Sequence, residues 1–340
     1  MLYKLIRYFL FKTDAEKAHH LALSAMKKVH QFGLSRLLYP TKVNDTFELM
    51  GLKFENRVGL AAGLDKNAEY IDALASVGFG FIEVGTITPK SQPGNEKPRL
   101  FRIVPAQGII NRMGFNNDGV DNLISHVKRS HYKGVLGINI GKNFSTPVEN
   151  AVDDYLLCFQ QVYEFADYIT VNISSPNTPG LRKLQHGEAL IELLTSLKQE
   201  QNKLQKKFNK YVPLAVKIAP DLTDEEIDEL ATAFIKTGID AVIATNTTFS
   251  RQGVEQFENA GEQGGLSGAP VFDASTAVVE KFAKLLDQKI PIIAVGGITK
   301  PEDAVEKIKA GASLVQIYSG FIYQGPELIS QSAQAIAEMK

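Results

Sequence analysis

The sequence predicts a (β/α)₈ barrel preceded by a pair of amphipathic helices. Three observations support this fold class. Eight short apolar runs recur from residue 57 onward, helix-like stretches separate most of them, and no low-complexity linker divides the 340-residue chain. Parallel strands that are covered on both faces are typically apolar throughout, as these runs are. Eight strand–helix units over roughly 290 residues match the usual size of such a barrel.

The eight predicted strands are short and rich in Val, Ile and Leu. They occupy residues 58–61, 81–84, 135–140, 168–173, 214–218, 241–244, 291–295 and 314–317. The predicted helices between them occupy residues 67–77, 148–165, 188–208, 223–237 and 301–310. The connection between residues 86 and 117 is too long for a simple loop, so we expect extra strands near residues 100–104 and 108–111, over the barrel mouth.

A doubly wound parallel sheet is the structural alternative. Such a sheet carries a G-x-G-x-x-G motif directly after its first strand. The first apolar run is followed by Ala62-Gly-Leu-Asp-Lys66, which does not match the motif, and the glycine-rich residues 264–268 have no predicted strand immediately before them. We therefore favour the barrel.

Composition indicates a soluble globular protein. The chain has 37 Lys and Arg against 38 Asp and Glu, a formal net charge of −1, and 44% hydrophobic residues. These values exclude a disordered chain and a nucleic-acid binder driven by bulk charge, so no nucleic-acid partner is expected. The single cysteine, Cys158, excludes an intrachain disulfide and a cysteine-cluster metal site, and we expect no metal.

Charge and hydropathy separate residues 1–40 from residues 41–340, which we predict to be the barrel. The first segment contains seven basic and two acidic residues, a net charge of +5, which leaves −6 on the remainder. Its apolar residues follow helical spacing from Leu2 to Leu10 and again from Ala18 to Val29. Thr13 and Glu16 have the spacing of a capping box, and Gly33 is a helix stop signal.

Two interpretations of this helical hairpin are open. It either packs on its own barrel or lies with its apolar face on an anionic membrane surface. Its longest early apolar run, Tyr8 to Phe11, is too short to span a bilayer, and Lys4 and Arg7 interrupt any signal-peptide core.

Polar residues collect where six of the predicted strands end. This placement indicates an active site, because barrel enzymes build theirs at the carboxyl ends of the strands. The residues are Gly63–Lys66, Thr86, Asn139, Asn172 with residues 174–180, Lys217, and Thr245–Thr247. The seventh and eighth strands end in glycine-rich turns, at Gly296-Gly297 and Ser319-Gly320, whose backbone amides suit a phosphate group.

Lys217 and Ser175 are the candidate reactive side chains. Lys217 would form a Schiff base if burial lowered its pKa, or would remain charged and stabilise negative charge on a bound ring; a structural ion pair also stays open. The amide-rich neighbours favour the second role. Ser175 lies in a loop hinged by prolines and Gly180, and no G-x-S-x-G motif is present, so a hydrolytic triad is not expected.

Together these motifs resemble the dihydroorotate dehydrogenases, specifically the quinone-dependent, membrane-associated (class 2) members. The resemblance covers essentially the whole chain, including the amino-terminal helices. The matching stretches are residues 61–66, 85–89, 111–117, 172–180, 244–247, 264–268 and 316–320. Soluble members of the family place Cys at the position of Ser175, so the serine assigns the class.

The resemblance implies FMN at the barrel mouth and a set of site residues. The implied flavin contacts are Ala62, Gly63, Leu64, Asp65, Lys66, Thr86, Asn139, Asn172, Lys217, Thr245, Gly268, Gly297, Tyr318 and Ser319. The implied contacts of dihydroorotate are Lys66, Asn111, Arg112, Met113, Gly114, Phe115, Asn172, Asn177, Asn246 and Thr247. Ser175 is the implied catalytic base.

The implied reaction oxidises dihydroorotate to orotate in de novo pyrimidine (UMP) synthesis. Hydride passes to FMN, and ubiquinone or menaquinone then reoxidises it. The hairpin would form an apolar funnel for the quinone, with His19, Arg102 and Tyr318 as polar contacts. Because the sequence begins at the hairpin, we expect a bacterial enzyme bound peripherally to the cytoplasmic side of the inner membrane.

Three alternatives from other classes stay open at this point. The first is a soluble flavin dehydrogenase that uses fumarate or NAD, which Ser175 and the basic hairpin oppose. The second is a Schiff-base aldolase that uses Lys217. The third is a non-catalytic membrane-surface binder on a barrel scaffold, which the density of polar residues at the strand ends opposes.

Overall fold

The computed structural model describes residues 2–339. Within this range the α-helices are α1 (Leu2–Leu10), α2 (Ala15–Gln31), α3 (Ser35–Leu38), α4 (Ile71–Ala75), α5 (Val120–Arg129), α6 (Ala151–Val162), α7 (Gly187–Phe208), α8 (Asp224–Thr237), α9 (Phe272–Leu286), α10 (Pro301–Lys309), α11 (Ser319–Gln324) and α12 (Pro326–Ala337). None of the helices in this range is both long enough and apolar enough to cross a membrane.

The strands form a barrel and two small sheets. They are β1 (Phe47–Leu49), β2 (Leu52–Phe54), β3 (Val58–Leu60), β4 (Phe81–Ile87), β5 (Leu100–Ile103), β6 (Gly108–Asn111), β7 (Val135–Ile140), β8 (Tyr168–Asn172), β9 (Leu214–Ile218), β10 (Ala241–Ala244), β11 (Gly265–Gly268), β12 (Ile292–Val295) and β13 (Leu314–Ile317).

Eight parallel strands close into a barrel in the order β3-β4-β7-β8-β9-β10-β12-β13, and β13 pairs with β3. All eight predicted strands are present, so the predicted fold class is confirmed. Their side chains are buried along the whole length of each strand, because helices cover the outer face and packed side chains fill the interior. The carboxyl ends of the eight strands therefore meet at one end of the barrel.

A short hairpin closes the opposite end of the barrel. Strands β1 and β2 pair antiparallel, and the Phe54 ring meets the Phe81 ring edge to face, with centroids 5.1 Å apart. Phe54 also belongs to an apolar cluster with Val135, Tyr168 and Leu314, the first residues of their strands. This plug excludes water from the amino-terminal end and leaves the other end as the open mouth.

A three-stranded antiparallel sheet, in the order β11-β6-β5, lies over the mouth. The expected strands near residues 100–104 and 108–111 are confirmed as β5 and β6. The glycine-rich segment Gly265–Gly268 is itself the third strand, and it pairs with Gly108–Asn111. A Cβ atom at Gly268 would lie 2.1 Å from the Gln107 carbonyl oxygen. The close approach of the strand to Gln107 therefore requires glycine at this position.

The two predicted amino-terminal helices are present as α1 and α2, and they pack against the barrel. The expected cap of α2 was Thr13, but the observed cap is the next residue, Asp14. Its carboxylate accepts the Lys17 amide at 2.9 Å. Glu16 does not complete a capping box. Its carboxylate forms a buried ion pair with Arg99, with Nη2 2.7 Å from Oε1, and this pair joins α2 to the barrel.

Arg99 also holds the segment that leads into the mouth sheet. Its second terminal nitrogen donates to the carbonyl oxygens of Pro93 and Asn95, at 2.6 and 2.9 Å. Burial favours a raised pKa for Glu16, but the hydrogen bonds and charges of Arg99 and Lys97 together outweigh it, and the net pKa lies below its usual value. The carboxylate therefore stays charged against Arg99.

We expect Glu16→Met alone to lower the free energy of unfolding by about 3 kcal/mol, because it leaves the buried charge of Arg99 without a carboxylate. Arg99→Met should lower it by less, because Lys97 Nζ remains 3.3 Å from Glu16 Oε1. The double variant should lose less than the sum of the two, since it removes both charges. Urea titration of the purified protein measures all three, with Lys17→Met on the exposed face of α2 as control. Strictly additive losses would contradict a direct coupling between the helix and the barrel.

Candidate active site

A cavity opens at the carboxyl end of the barrel, where the strand ends meet. Its wall contains most of the residues that the sequence analysis singled out. It is lined by Ala61, Ala62, Gly63, Lys66, Thr86, Asn111, Met113, Gly114, Phe115, Asn172, Ser175, Pro176, Asn177, Lys217, Thr245, Asn246, Thr247, Ser267, Gly268, Val271, Val295, Gly296, Gly297, Ile298, Gln316, Ile317, Tyr318, Ser319 and Gly320.

Four of the predicted site residues do not line this cavity. Leu64 faces a neighbouring apolar cavity under the amino-terminal helices. The buried Asp65 carboxylate accepts the amides of Glu69 and Tyr70, so it shapes the loop before α4. Asn139 lies one layer deeper in the barrel, and Arg112 pairs with Glu262 at 2.6 Å outside the cavity.

A buried carboxylate that the sequence analysis missed organises the floor of the cavity. Glu83 is fully buried in β4, where it accepts the Asn139 amide at 2.8 Å, the Tyr168 hydroxyl at 2.9 Å and the Gln316 amide at 2.7 Å. A charged residue in the middle of the apolar run Phe81–Val84 is the signal that could have identified it.

This network continues upward from Asn139 to the cavity wall. The Thr86 hydroxyl donates to Asn139 Oδ1 at 2.6 Å and accepts from Asn172 Nδ2 at 3.0 Å. Asn246 Nδ2 then donates to Asn172 Oδ1 at 3.2 Å and to the Ser174 hydroxyl at 3.1 Å. Each amide is fixed in orientation by its neighbour, so the wall presents defined donors and acceptors.

Lys217 brings a buried cation to the cavity. It lies in β9 and is 5% exposed, and within residues 2–339 no acceptor or carboxylate lies within hydrogen-bonding or salt-bridge distance of its ammonium. Burial lowers the pKa of Lys217, and the Glu83 charge acts in the opposite direction. An unpartnered ammonium at a cavity wall is suited to bind a partly negative group of a ligand.

Glycine-rich turns form the wall after the seventh and eighth barrel strands. Within the described residues the amides of Gly297, Ser319 and Gly320 have no protein acceptor, and all three residues line the cavity. Gly297 has φ +81°, and a side chain there would lie 2.3 Å from the Phe272 Cα, so only glycine fits. The Ser267 and Ser319 hydroxyls lie 2.9 Å apart beside these amides. The group has the chemistry of an anion site.

The loop that follows β8 carries Ser175 and is tied down at several points. Ser175 is 6% exposed and lines the cavity, and its Oγ accepts the Asn177 amide at 3.2 Å. The Asn177 side chain donates to Asn111 Oδ1 at 3.2 Å. Arg182 donates to the carbonyl oxygens of Ser174 and Thr247, at 3.2 and 3.0 Å. These contacts hold Ser175 against the cavity.

The cavity wall also offers a second cation and an unsatisfied hydroxyl. Lys66 Nζ donates to the Gly63 carbonyl at 2.9 Å, and burial lowers the pKa of Lys66 to about 8. Thr247 Oγ1 is buried without a hydrogen-bond partner within the described range. Both groups are therefore available to an anionic, hydrogen-bonding ligand.

A second cavity, of about 410 Å³, lies between the amino-terminal helices and the barrel. Its wall is mainly apolar and includes Leu10, Met26 and Leu64. Tyr318 lines both cavities. His19, Arg102 and Tyr318, the polar contacts that the sequence analysis singled out, all line it. Burial lowers the pKa of His19 to about 3, and the charge of Lys66 acts in the same direction, so the imidazole is neutral at pH 7.

The described part of the chain shows no cluster of three His, Cys, Asp or Glu side chains with the geometry of metal ligands. The site is thus a donor-rich cavity with two lysines and a loop serine.

Comparisons with known proteins identify the family. Residues 46–339 match the family model described as dihydroorotate dehydrogenase. The chain is 59% identical to dihydroorotate dehydrogenase (quinone) of Pseudomonas fluorescens Pf-5, over 99% of this chain and 100% of the relative. It is 60% identical to the protein of the same name from Idiomarina loihiensis, over 96% of this chain and 98% of the relative.

The solved structures agree with this assignment. The ligand-free DHODH of Eimeria tenella matches with a TM-score of 0.87 and 40% identity, over 95% of this chain and 94% of that one. The complex of the same enzyme with ferulenol matches with a TM-score of 0.85 and 41% identity, over 94% of this chain and 89% of that one. The chain therefore belongs to the dihydroorotate dehydrogenase family, in its quinone-dependent class.

Proposed function

We propose that this chain oxidises dihydroorotate to orotate, with FMN as the hydride acceptor and a membrane quinone as the final electron acceptor, in de novo pyrimidine synthesis. The observation that carries the proposal is the pair of cavities that meet at Tyr318. One contains amides and lysines in its lining, and the other is almost entirely apolar. Residues of the first cavity would hold a flavin, which would supply the hydride acceptor for a polar substrate, and the second cavity would give a quinone access to it.

The donor set of the polar cavity fits FMN. The family is flavin-dependent, and a bound flavin supplies the hydride acceptor. Lys217 has no partner within the described residues and suits the partly negative edge of the ring system. The amides of Gly297, Ser319 and Gly320 suit a phosphate. We therefore assign Lys217, Thr86, Asn172, Thr245 and the glycine turns to FMN.

Four other residues from the predicted set do not line this cavity and have supporting roles. Asn139 accepts a hydrogen bond from Thr86 and so orients Thr86 and Asn172 from the barrel interior. The Asp65 carbonyl oxygen accepts the Gly85 amide at 3.1 Å, and this bond fixes the turn that presents Gly63 to the cavity. Leu64 belongs to the apolar cavity. Arg112 braces the substrate segment, Asn111–Phe115, through Glu262.

We assign the base role to Ser175. The Asn177 amide occupies one lone pair of the hydroxyl oxygen and fixes its orientation, while the hydroxyl proton stays free to move on as the oxygen accepts a proton from the substrate. Within residues 2–339 this amide is the sole hydrogen-bond partner of Oγ, so we assign the onward proton acceptor to a water molecule held in the cavity. The anchored loop excludes bulk water and keeps the hydroxyl in line.

Dihydroorotate carries a carboxylate and ring amides that match other groups lining the same cavity. Lys66 supplies a cation for the carboxylate, and Asn111, Asn177 and Asn246 supply amides that can pair with the ring. The buried Thr247 hydroxyl would gain the partner that it lacks within the described residues. This assignment favours an oxidoreductase over an aldolase, because Lys217 lines the same cavity as Thr86 and Asn172, which we assign to the flavin.

We propose that residues 1–40 bring the quinone from the membrane to the flavin, on the cytoplasmic side of the inner membrane. The segment has a net charge of +5 and carries exposed apolar side chains that include Leu5, Phe9, Phe32 and Leu37. Such a surface suits peripheral binding to anionic lipid. Ubiquinone and menaquinone both have the apolar tails that the 410 Å³ cavity can accept.

The function is tested by anaerobic reduction in a stopped-flow spectrometer. We expect dihydroorotate to bleach a flavin absorbance band, and subsequent mixing with a quinone to restore it. Ser175→Ala should slow the bleaching roughly 10²- to 10⁴-fold, as expected for loss of a general base, and should change the reoxidation less than about twofold. Ser250→Ala is the control, since Ser250 is exposed and does not line the cavity. Equal slowing of bleaching by both variants would contradict the base role.

Lys66 should make orotate binding depend on pH. Its pKa of about 8 means that the ammonium is charged below pH 8 and neutral above it. The affinity for the orotate anion should therefore fall as pH rises through about 8. Lys66→Arg should keep the affinity at higher pH, and Lys66→Met should bind at least about tenfold more weakly at pH 7 with a flat profile. Titration of the flavin absorbance measures these constants, with Lys53→Met at the far end of the barrel as control. A wild-type profile in Lys66→Met would refute the assignment.

The membrane role of residues 1–40 is tested by sedimentation with lipid vesicles. We expect Phe9→Ser combined with Leu37→Ser to weaken binding to vesicles of phosphatidylcholine and phosphatidylglycerol at least about tenfold, because exposed apolar area is lost. Phe144→Ser is the matched control, since Phe144 is 60% exposed and Phe9 is 61% exposed. Equal losses in the two proteins, or no loss in either, would refute the hairpin as the membrane-binding surface.

A further inference from the structure

A buried lysine that the proposed chemistry does not use lies behind the glycine turn after β12. Lys307 belongs to α10 and its side chain is fully buried. Its ammonium donates to Ser275 Oγ at 2.6 Å, Thr276 Oγ1 at 2.7 Å and the Phe272 carbonyl at 3.1 Å. Within residues 2–339 no carboxylate lies within salt-bridge distance of it. The charge is thus solvated by neutral groups alone.

These three acceptors belong to the first turn of α9, and this turn packs on the glycine turn. Ser275 Oγ donates to the Gly296 carbonyl at 3.1 Å. A side chain at Gly296 would lie 2.8 Å from Ser275 Oγ, and one at Gly297 would overlap the Phe272 backbone. Two hydrogen bonds therefore connect the ammonium of Lys307 to the turn that lines the cavity.

The ammonium of Lys307 lies at a place in the fold that disfavours a cation. The amino-terminal end of a helix carries partial positive charge, so a cation placed there is repelled. Burial lowers the pKa of Lys307 to about 7, while Asp303, Glu306 and Asp273 act in the opposite direction from a greater distance. A bound phosphate beyond Gly297 would compensate both the helix end and the ammonium.

We propose that Lys307 is a positioning residue for the phosphate end of the flavin: it clamps the first turn of α9 against the Gly296–Gly297 turn and adds positive charge behind the phosphate site. This inference rests on the proposed function, since it assumes that FMN binds with its phosphate at these amides. Lys307 makes no contact with the cavity itself and acts through Ser275 and Phe272.

The test compares FMN with riboflavin, which has the same ring system but no phosphate. Purified full-length enzyme with its bound flavin is equilibrated with defined mixtures of the two compounds. It is then separated from free flavin, and the bound flavins are quantified. A merely structural role of Lys307 would weaken both compounds alike, whereas a phosphate role lowers the preference for FMN.

We expect Lys307→Met to lower the preference for FMN over riboflavin at least about tenfold, which corresponds to about 1.4 kcal/mol. Lys309→Met removes an exposed lysine from the same helix and should keep the wild-type preference. Ser275→Ala retains the ammonium but breaks the connection to Gly296, and it should lower the preference by a smaller factor, about threefold. This second variant decides the question if Lys307→Met does not fold.

Two results separate the inference from the proposal that it rests on. If the wild type shows no preference for FMN over riboflavin, the phosphate assignment itself fails. If the wild type prefers FMN and the folded variants at Lys307 and Ser275 keep that preference, FMN stands and the role of Lys307 is refuted.

Discussion

The buried carboxylate of Glu83 is the interaction on which the site depends. Burial of an unpaired charge costs several kcal/mol, so Glu83 is tolerated only because three donors reach it from other strands. Those donors, Asn139 in β7, Tyr168 in β8 and Gln316 in β13, are thereby fixed in position. The same charge favours the protonated form of Lys217 in β9. One side chain thus sets the orientation of the wall amides and supports the cation that faces the cavity.

The barrel itself could be predicted from the sequence because its strands are buried on both faces. Such strands are continuous apolar runs, and the polar residues that interrupt or follow them stand out by contrast. The strand Gly265–Gly268 was missed for the opposite reason, since glycine has low strand propensity and no side chain to show a pattern. It is a strand because its partner, Gly108–Asn111, approaches closely, which is a long-range property.

The structure brings most, but not all, of the predicted site residues to one cavity. Thr86, Asn172, Lys217 and the glycine turns line the cavity as the motifs indicated. Asn139 and Arg112 do not line it. Asn139 is bonded to Thr86 and Glu83, and Arg112 is paired with Glu262. These partners are far away in the sequence. A motif indicates that a residue belongs to a site. Whether its side chain lines the cavity or lies behind the wall depends on how the strands are aligned. Glu16 illustrates the same limit, since its capping spacing gave no sign of Arg99.

The ion pair between Glu16 and Arg99 has a consequence for modularity. The change in charge and hydropathy near residue 40 suggests an attached segment that could be exchanged or trimmed. The segment is nevertheless not independent of the barrel. A cut near residue 40 would remove Glu16 and leave the buried guanidinium of Arg99 without its carboxylate. Any hairpin grafted onto this barrel, by design or by recombination, must bring an acidic residue to the place of Glu16. The amino-terminal helices and the barrel are therefore one structural unit, whose two parts must change together.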